Sequence, residues 1–111
     1  MKQLDGDQVP IQVFERAAEL FALLSTSVRL RIVSSLCQGE KNVGELSAFI
    51  DVAQPNISQH LSMLYRSGVL AKRKSGTQVF YRIADECCVL VCKAVCSQLQ
   101  ANTNLTLART H

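Results

Sequence analysis

The segment VAQPNISQHLSMLYRSGVLAKRKSGTQVFYRIA, residues 52–84, contains no Asp or Glu in thirty-three residues, although the chain has nine acids. Five of the twelve Lys and Arg residues lie within it: Arg66, Lys72, Arg73, Lys74 and Arg82. A local charge of +5, in a chain whose net charge is +3, indicates a polyanionic partner. The segment therefore predicts a surface that binds double-stranded DNA.

The first half of this segment predicts a helix over residues 54–67 that Gly68 ends. Its inward positions are Ile57, Leu61, Leu64 and Tyr65. Its outward positions carry short or polar side chains. A short helix over residues 43–50 and the connector 51–53 precede it. The pair predicts a helix-turn-helix in which the second helix reads DNA.

The second half, residues 69–83, predicts a β-hairpin around the turn 74–77, where Gly76 supplies a positive φ. Upstream, apolar periodicity predicts helices over 9–24 and 27–38, the second capped by Gly39. Downstream, we expect a helix from the N-cap Asp85 to about Gln100. The fold class is mostly α with a small β-hairpin wing (α+β), a winged helix-turn-helix. It comprises one domain, residues 9–100, between flexible tails at 1–8 and 101–111.

The outward side chains of the reading helix and the wing define the predicted DNA surface. We expect base contacts from five residues that can hydrogen-bond to base edges: Gln54, Asn56, Ser58, Gln59 and Ser62. Phosphate-side contacts are expected from His60 and Arg66 and from five wing residues: Lys72, Arg73, Lys74, Thr77 and Gln78. DNA binding itself requires no cofactor.

Composition excludes other classes of protein. No apolar run approaches the roughly 18 residues that a membrane-spanning helix needs, and the first ten residues do not form a signal peptide. These observations predict a cytoplasmic protein with no membrane partner. Scattered acids and the lack of a phosphate-binding glycine loop predict that the chain is not an enzyme.

Particular residues make the layout resemble the ArsR/SmtB family of winged helix-turn-helix metalloregulatory repressors. The similar stretches are 24–32 (LSTSVRLRI), 43–46 (VGEL), 54–64 (QPNISQHLSML) with Gly68-Val69-Leu70, and 79–83 (VFYRI). The resemblance implies a homodimer that represses its own operon from an inverted-repeat operator and leaves DNA when an inducer binds. A dimer through the N- and C-terminal helices also suits their apolar surfaces, which exceed what a small monomer can cover.

Two of this family's metal sites are excluded by the residues present. The arsenic-type site carries two cysteines in helix 3, but residues 45–51 read ELSAFID without a thiol. The zinc-type site requires distal ligands in helix 5 where Gln98 and Ala101 stand. Persulfide-sensing relatives pair a helix-2 cysteine with a late helix-5 cysteine. Those two positions fall on Ser34 and near Gln100.

Four of the five cysteines crowd into ten residues of the last helix: Cys87, Cys88, Cys92 and Cys96. The first-turn pair lies where the helix dipole favours thiolates, and thiolates select soft ions. We expect Cys87, Cys88 and Cys92 to bind an inducer such as trivalent arsenic or antimony. Cys96 is the less favoured ligand, and both it and Cys37 are interpreted as buried packing residues. Two alternatives stay open: a thiol redox or persulfide sensor, and an inducer-insensitive DNA-binding protein.

Overall fold

Residues 8–110 form five helices and a three-stranded antiparallel sheet, and this architecture is the predicted winged helix-turn-helix. The computed structural model describes residues 8–110, with side chains for residues 8–104. The elements are α1 (Ile11–Leu23), α2 (Ser27–Leu36), β1 (Lys41–Asn42), α3 (Val43–Ile50), α4 (Gln54–Arg66), β2 (Leu70–Ser75), β3 (Gln78–Ile83) and α5 (Glu86–Thr110). The strands lie in the order β1-β3-β2.

The inward face of α4 anchors the reading helix in the core. Ile57, Leu61 and Leu64 recur at helical spacing, and all three are fully buried. Tyr65, also predicted to point inward, is 41% exposed instead. The next residue along a helix lies about 100° around the axis, so Tyr65 cannot share the inward direction of Leu64. The inward face is thus narrower than predicted.

The start of α3 is fixed by a capping box that also brings in an unpredicted strand. The Asn42 side chain accepts a hydrogen bond from the Glu45 N–H (2.8 Å), and the Glu45 carboxylate accepts one from the Asn42 N–H (2.9 Å). Asn42 and Lys41 pair with β3 as β1. Two residues are too few to show a strand pattern, which is why the sequence did not indicate β1.

The wing is a regular hairpin with a buried root and an exposed tip. Its register runs from Leu70 opposite Ile83 to Ser75 opposite Gln78. Gly76 has a φ of +63°, confirming the positive φ predicted for the turn. Since Leu70 is buried at the root, the basic side chains near the tip are held at a fixed distance from the core.

The last helix begins as predicted but ends later. The Asp85 side chain accepts a hydrogen bond from the Cys87 N–H (2.9 Å), the expected N-cap contact. The predicted end near Gln100 was wrong, because α5 continues to Thr110. Neither Gly nor Pro interrupts residues 101–110, and each residue added to an existing helix gains a backbone hydrogen bond. Residues 1–7 of the predicted N-terminal tail lie outside the described residues.

Within residues 8–110, no helix combines the length and the apolar character that crossing a membrane requires.

Replacing Leu61 by Ala should lower the free energy of unfolding by about 2–5 kcal/mol, because it removes a fully buried side chain and leaves a cavity. Chemical denaturation followed by circular dichroism measures this change. Ser62→Ala is the matched control. Ser62 follows Leu61 in the same helix but is exposed, so this substitution should change the free energy of unfolding by no more than about 0.5 kcal/mol. Equal effects of the two substitutions would contradict the assigned orientation of α4.

Candidate functional site

The outward face of α4 carries the predicted base-reading residues. All five are exposed: Gln54, Asn56, Ser58, Gln59 and Ser62. Arg66, one turn beyond Ser62, is exposed as well. Part of this set lines an open cavity of about 470 Å³, together with His60 and Arg29 of α2. The arrangement offers hydroxyl, amide and guanidinium groups on one acid-free face, which suits contact with base edges and phosphates.

His60 differs from the other predicted contacts because it already has a partner within the chain. It is half-buried, and its Nδ1 accepts a hydrogen bond from Arg29 Nε at 3.1 Å. Burial, and then the neighbouring Arg29 charge, lower the pKa of His60 below its ordinary value of 6.5. The ring is therefore held neutral, as a hydrogen-bond acceptor requires, and does not add a positive charge to the surface at neutral pH.

The three wing cations are in three different situations. Lys72 Nζ lies 4.3 Å from the centroid of the Tyr65 ring. Arg73 forms a two-pronged ion pair with Glu40, with its Nε 2.9 Å from one carboxylate oxygen and its Nη2 2.6 Å from the other. Lys74 has no hydrogen bond, ion pair or ring contact within the described part of the chain. It is therefore the wing cation most available to phosphate.

Glu40 lies outside the acid-free segment 52–84 in sequence, but its ion pair with Arg73 places its carboxylate against the wing. Hydrogen bonds from Arg73 lower the pKa of Glu40 below its ordinary value, so the carboxylate is charged at neutral pH. At the wing tip, Gln78 accepts a hydrogen bond from the Asn42 side chain (2.9 Å), while Thr77 is exposed. Two predicted DNA contacts, Arg73 and Gln78, are thus held by neighbouring residues.

The first-turn cysteines of α5 face different surroundings. Cys87 is exposed, whereas Cys88 is fully buried and its thiol donates to the Asp85 carbonyl oxygen at 2.9 Å. Burial, reinforced by the Asp85 charge, raises the pKa of Cys88 to about 12. The predicted thiolate at this position is therefore wrong, because burial outweighs the helix dipole. Among side chains 8–104, no group of three or more His, Cys, Asp or Glu stands ready to hold a metal.

The closest thiols are one turn apart, farther along α5. The Sγ atoms of Cys92 and Cys96 are 3.9 Å apart. Cys92 is buried against α2 and its thiol also donates to the Leu30 carbonyl at 3.8 Å. Burial, followed by the hydrogen bond with Cys96, raises the pKa of Cys92 to about 11. Cys96 is exposed, so the prediction that it is a buried packing residue was wrong.

A cavity of about 360 Å³ brings cysteines of two helices together. Its lining includes Cys37 at the end of α2 with Cys92 and Cys96 of α5. Ser34 and Gln100 line the same cavity. Cys37 is exposed rather than buried, which corrects its predicted role as a packing residue. The structure thus places Cys92 and Cys96 of α5 beside Cys37. Cys87 does not line this cavity.

Three contributors escaped the sequence reasoning: Arg29, Glu40 and Cys37. Each acts through a partner that is far away in sequence, since Arg29 meets His60 and Glu40 meets Arg73. No local periodicity encodes such pairs. For Cys37, the available signal was the resemblance to persulfide-sensing relatives, which pair a helix-2 cysteine with a helix-5 cysteine.

Comparison with known proteins gives consistent matches. The family model described as "Bacterial regulatory protein, arsR family" matches residues 26–72. A biofilm growth-associated repressor of Agrobacterium fabrum is 40% identical over 89 residues, covering 77% of this chain and 76% of that protein.

Two solved structures extend the likeness to the fold. A homodimeric winged helix-turn-helix DNA-binding domain of Mycobacterium bovis has a TM-score of 0.67 at 25% identity, covering 92% of this chain and 91% of that one. The antimony-specific transcriptional repressor AntR has a TM-score of 0.77, covering 93% and 99% respectively. At 22% identity, the AntR likeness shows the fold alone.

Replacing Lys74 by Ala should reduce the slope of log affinity against log salt by about 0.9, the contribution of one phosphate contact. Fluorescence anisotropy on a duplex from the protein's own upstream region, at several salt concentrations, measures the slope. Lys93→Ala on α5 is the control and should leave the slope unchanged. An unaltered slope for Lys74→Ala would show that the wing does not reach the backbone.

Alkylation with iodoacetamide should modify Cys87 much faster than its neighbour Cys88 at pH 7.5. Cys87 is exposed, and Cys88 is buried with a pKa raised to about 12. Below a thiol's pKa, each unit of pH raises the thiolate fraction about tenfold, so labelling of Cys92, whose pKa is about 11, should accelerate steeply toward alkaline pH. Peptide mass spectrometry measures the rates. Equal rates at Cys87 and Cys88 would contradict the assigned burial.

Proposed function

Because the chain belongs to the arsR family of bacterial regulatory proteins, we propose that it represses a resistance operon until a soft metal or metalloid binds its α5 thiols. Membership of this family makes it a DNA-binding transcription regulator and not an enzyme. Trivalent arsenic and antimony are the favoured inducers. The DNA-bound repressor is a homodimer on an inverted-repeat operator, and it acts in the cytoplasm.

Exposed apolar side chains on α1 and α5 support the homodimer. None of the thirteen residues of α1, all of them described, is buried in the single chain. Its exposed apolar residues include Phe14 and Phe21, and those of α5 include Leu90, Val95 and Leu99, each at least half exposed. Apolar surface of this extent is stabilised when a second copy covers it. The similar Mycobacterium bovis domain is a homodimer.

The separation of Cys92 and Cys96 is the observation that carries the inducer proposal. Two thiolate sulfurs bonded to one ion at about 2.3 Å, the zinc–sulfur distance, lie about 3.8 Å apart at near-tetrahedral angles, and the narrower angles at a pyramidal trivalent metalloid bring them somewhat closer. The Sγ atoms of Cys92 and Cys96 are 3.9 Å apart, before any ion is bound. These two residues are therefore the proposed first ligands, and Cys37, across the same cavity, is the proposed third. The set expected from the sequence, Cys87, Cys88 and Cys92, is the competing assignment.

Soft-ion binding at this site displaces protons. Since the pKa of Cys92 is raised to about 11, its thiol is protonated at neutral pH and must release a proton to become a ligand. Soft ions drive this exchange because thiolate is their preferred donor. An ion held by Cys37 and the α5 thiols would also tie α2 to α5. Through that link, inducer binding could change the spacing between the two α4 reading helices of the dimer, so that they no longer match the two half-sites of the operator.

The same cavity favours a second candidate, a thiol redox or persulfide sensor. Ser34 and Gln100, where the family's dithiol pair would fall, line it together with Cys37 and Cys96. Cys37 lies three residues after Ser34 and Cys96 four residues before Gln100, about one helical turn in each case. Oxidation would join two thiols with loss of two electrons and two protons to the oxidant.

Release of a fluorescent upstream duplex, followed by anisotropy, tests the proposal. The reduced protein is titrated with antimonite, arsenite and cadmium, and separately with sodium tetrasulfide. Cys96→Ser and Cys87→Ser are matched variants, since each removes one exposed thiol of α5. Cys37→Ser tests the third ligand in the same way.

We expect antimonite or arsenite to release wild-type protein and Cys87→Ser, but not Cys96→Ser. Loss of release in Cys87→Ser alone would support the sequence-derived ligand set instead. Release by tetrasulfide only, with a mass spectrum showing Cys37 linked to an α5 cysteine, would establish the redox sensor. Binding indifferent to every reagent would contradict both candidates.

A further inference from the structure

The Arg29 side chain joins the end of α1 to the reading helix. Its Nη1 donates to the Leu23 carbonyl oxygen at 3.0 Å, and its Nε donates to His60 Nδ1 at 3.1 Å. Leu23 is the last residue of α1, and His60 lies in the middle of α4. One guanidinium therefore bridges two helices that have different roles.

Local structure holds Arg29 in place for this bridge. Thr26 caps α2, and its hydroxyl accepts a hydrogen bond from the Arg29 N–H at 3.1 Å. The last carbonyl groups of a helix lack partners within the helix, so the Leu23 carbonyl is a natural acceptor for a cationic donor. The planar guanidinium has five N–H donors in a fixed fork, so it can satisfy two acceptors at once.

The surroundings make this bridge a mechanical link. No residue of α1 is fully buried, and the helix is attached to the core through the partly buried side chains of Leu20 and Leu23 near its end. Arg29 lines both a cavity of about 720 Å³ beside α1 and the cavity of about 470 Å³ on the outer face of α4. The Arg29 side chain thus lies between the cavity beside α1 and the surface that carries Ser58, Gln59 and Ser62.

We propose that Arg29 is a positioning residue that transmits the placement of α1 in the dimer to the reading helix α4. This inference rests on the proposed homodimer, in which α1 packs against the partner. A shift of α1 moves the Leu23 carbonyl, and the guanidinium carries that shift to His60. Since Ser58, Gln59 and Ser62 belong to the same helix as His60, their presentation to the major groove changes with it.

Neutral His60 is part of the link. Its Nδ1 can accept from Arg29 only while that nitrogen is unprotonated, which leaves the ring proton on Nε2. Arg29 is committed to Leu23 and His60, so its role here differs from that of a phosphate contact. Removing a phosphate contact would alter the salt dependence of DNA binding, whereas removing a positioning contact would not.

Arg29→Lys tests the link, because an ammonium keeps the charge but lacks the planar fork that spans both acceptors. Arg31→Lys is the matched control, since Arg31 is on the same helix and donates to the Ile50 carbonyl of α3 instead. Affinity is measured by anisotropy on two duplexes, the upstream inverted repeat and the same duplex with one half-site scrambled, at several salt concentrations. The pH titration of the His60 ring is followed by NMR, with His60→Gln to assign its signal.

For Arg29→Lys we expect the preference for two half-sites over one to fall about tenfold, with an unchanged salt slope and with the His60 titration shifted from its wild-type position. Arg31→Lys should retain the wild-type values. A merely structural Arg29 would lower the melting temperature and leave the half-site preference intact, and that result would overturn the proposal.

A companion variant, Arg29→Gln, removes the charge; a salt slope reduced by about one unit in Arg29→Gln, with the half-site preference unchanged, would identify Arg29 as a phosphate contact and also overturn the proposal. If wild-type protein showed no preference for two half-sites, the proposed dimeric function would be wrong, and this inference with it. A wild-type preference that Arg29→Lys retains would overturn the inference alone.

Discussion

Burial of α2 is the constraint on which the rest of the molecule depends. Ile32 and Val33 are fully buried and Leu36 nearly so, and the helix contacts α3, α4, α5 and β3. The reading helix and the thiol-bearing helix therefore share one support. Because a close-packed interior resists compression, a displacement of side chains on one side of α2 also displaces those packed on its other side. This arrangement allows a single small domain to connect the proposed thiol site on α5 with the proposed DNA-reading face of α4.

Burial also decides which cysteines are available for chemistry. Adjacent positions on a helix point about 100° apart, so Cys87 and Cys88 enter different surroundings. The buried Cys88 thiol donates to the Asp85 carbonyl oxygen, whereas the buried Cys92 thiol lies 3.9 Å from the exposed Cys96 thiol, with which we propose that it shares an ion in exchange for protons. We therefore propose that the inducer site lies in the second and third turns of α5, beside Cys37, and not at the vicinal pair Cys87 and Cys88.

The sequence predicted most of the fold because the fold is encoded locally. Apolar spacing, Gly76, Gly68 and Asp85 each determine structure within a few residues, and the winged helix-turn-helix follows from them. The prediction failed where position depended on distant partners. Tyr65 and β1 show this for the fold, and the end of α5 shows that the polar composition of residues 101–110 is weak evidence against a helix.

The candidate site was predicted in composition but not in arrangement. Charge and side-chain type along residues 52–84 predict the DNA face, and the structure places the five predicted base-reading side chains on the exposed face of α4. Whether a given cation is free depends on a partner elsewhere, as Arg73 shows. The meeting of Cys37 with the α5 thiols depends on the packing of α2 on α5, which no local pattern contains.

The ion pair between Arg73 and Glu40 has a consequence for how such a protein finds its target. A genome offers on the order of a million or more competing sites, and affinity for all of them comes chiefly from cations on phosphates. Pairing Arg73 with Glu40 lowers the positive charge that the wing offers to any phosphate, whereas the proposed base contacts of α4 do not depend on that charge. On the proposed DNA surface, this ion pair would weaken binding to non-specific DNA and so leave a larger share of the molecules free to occupy the operator.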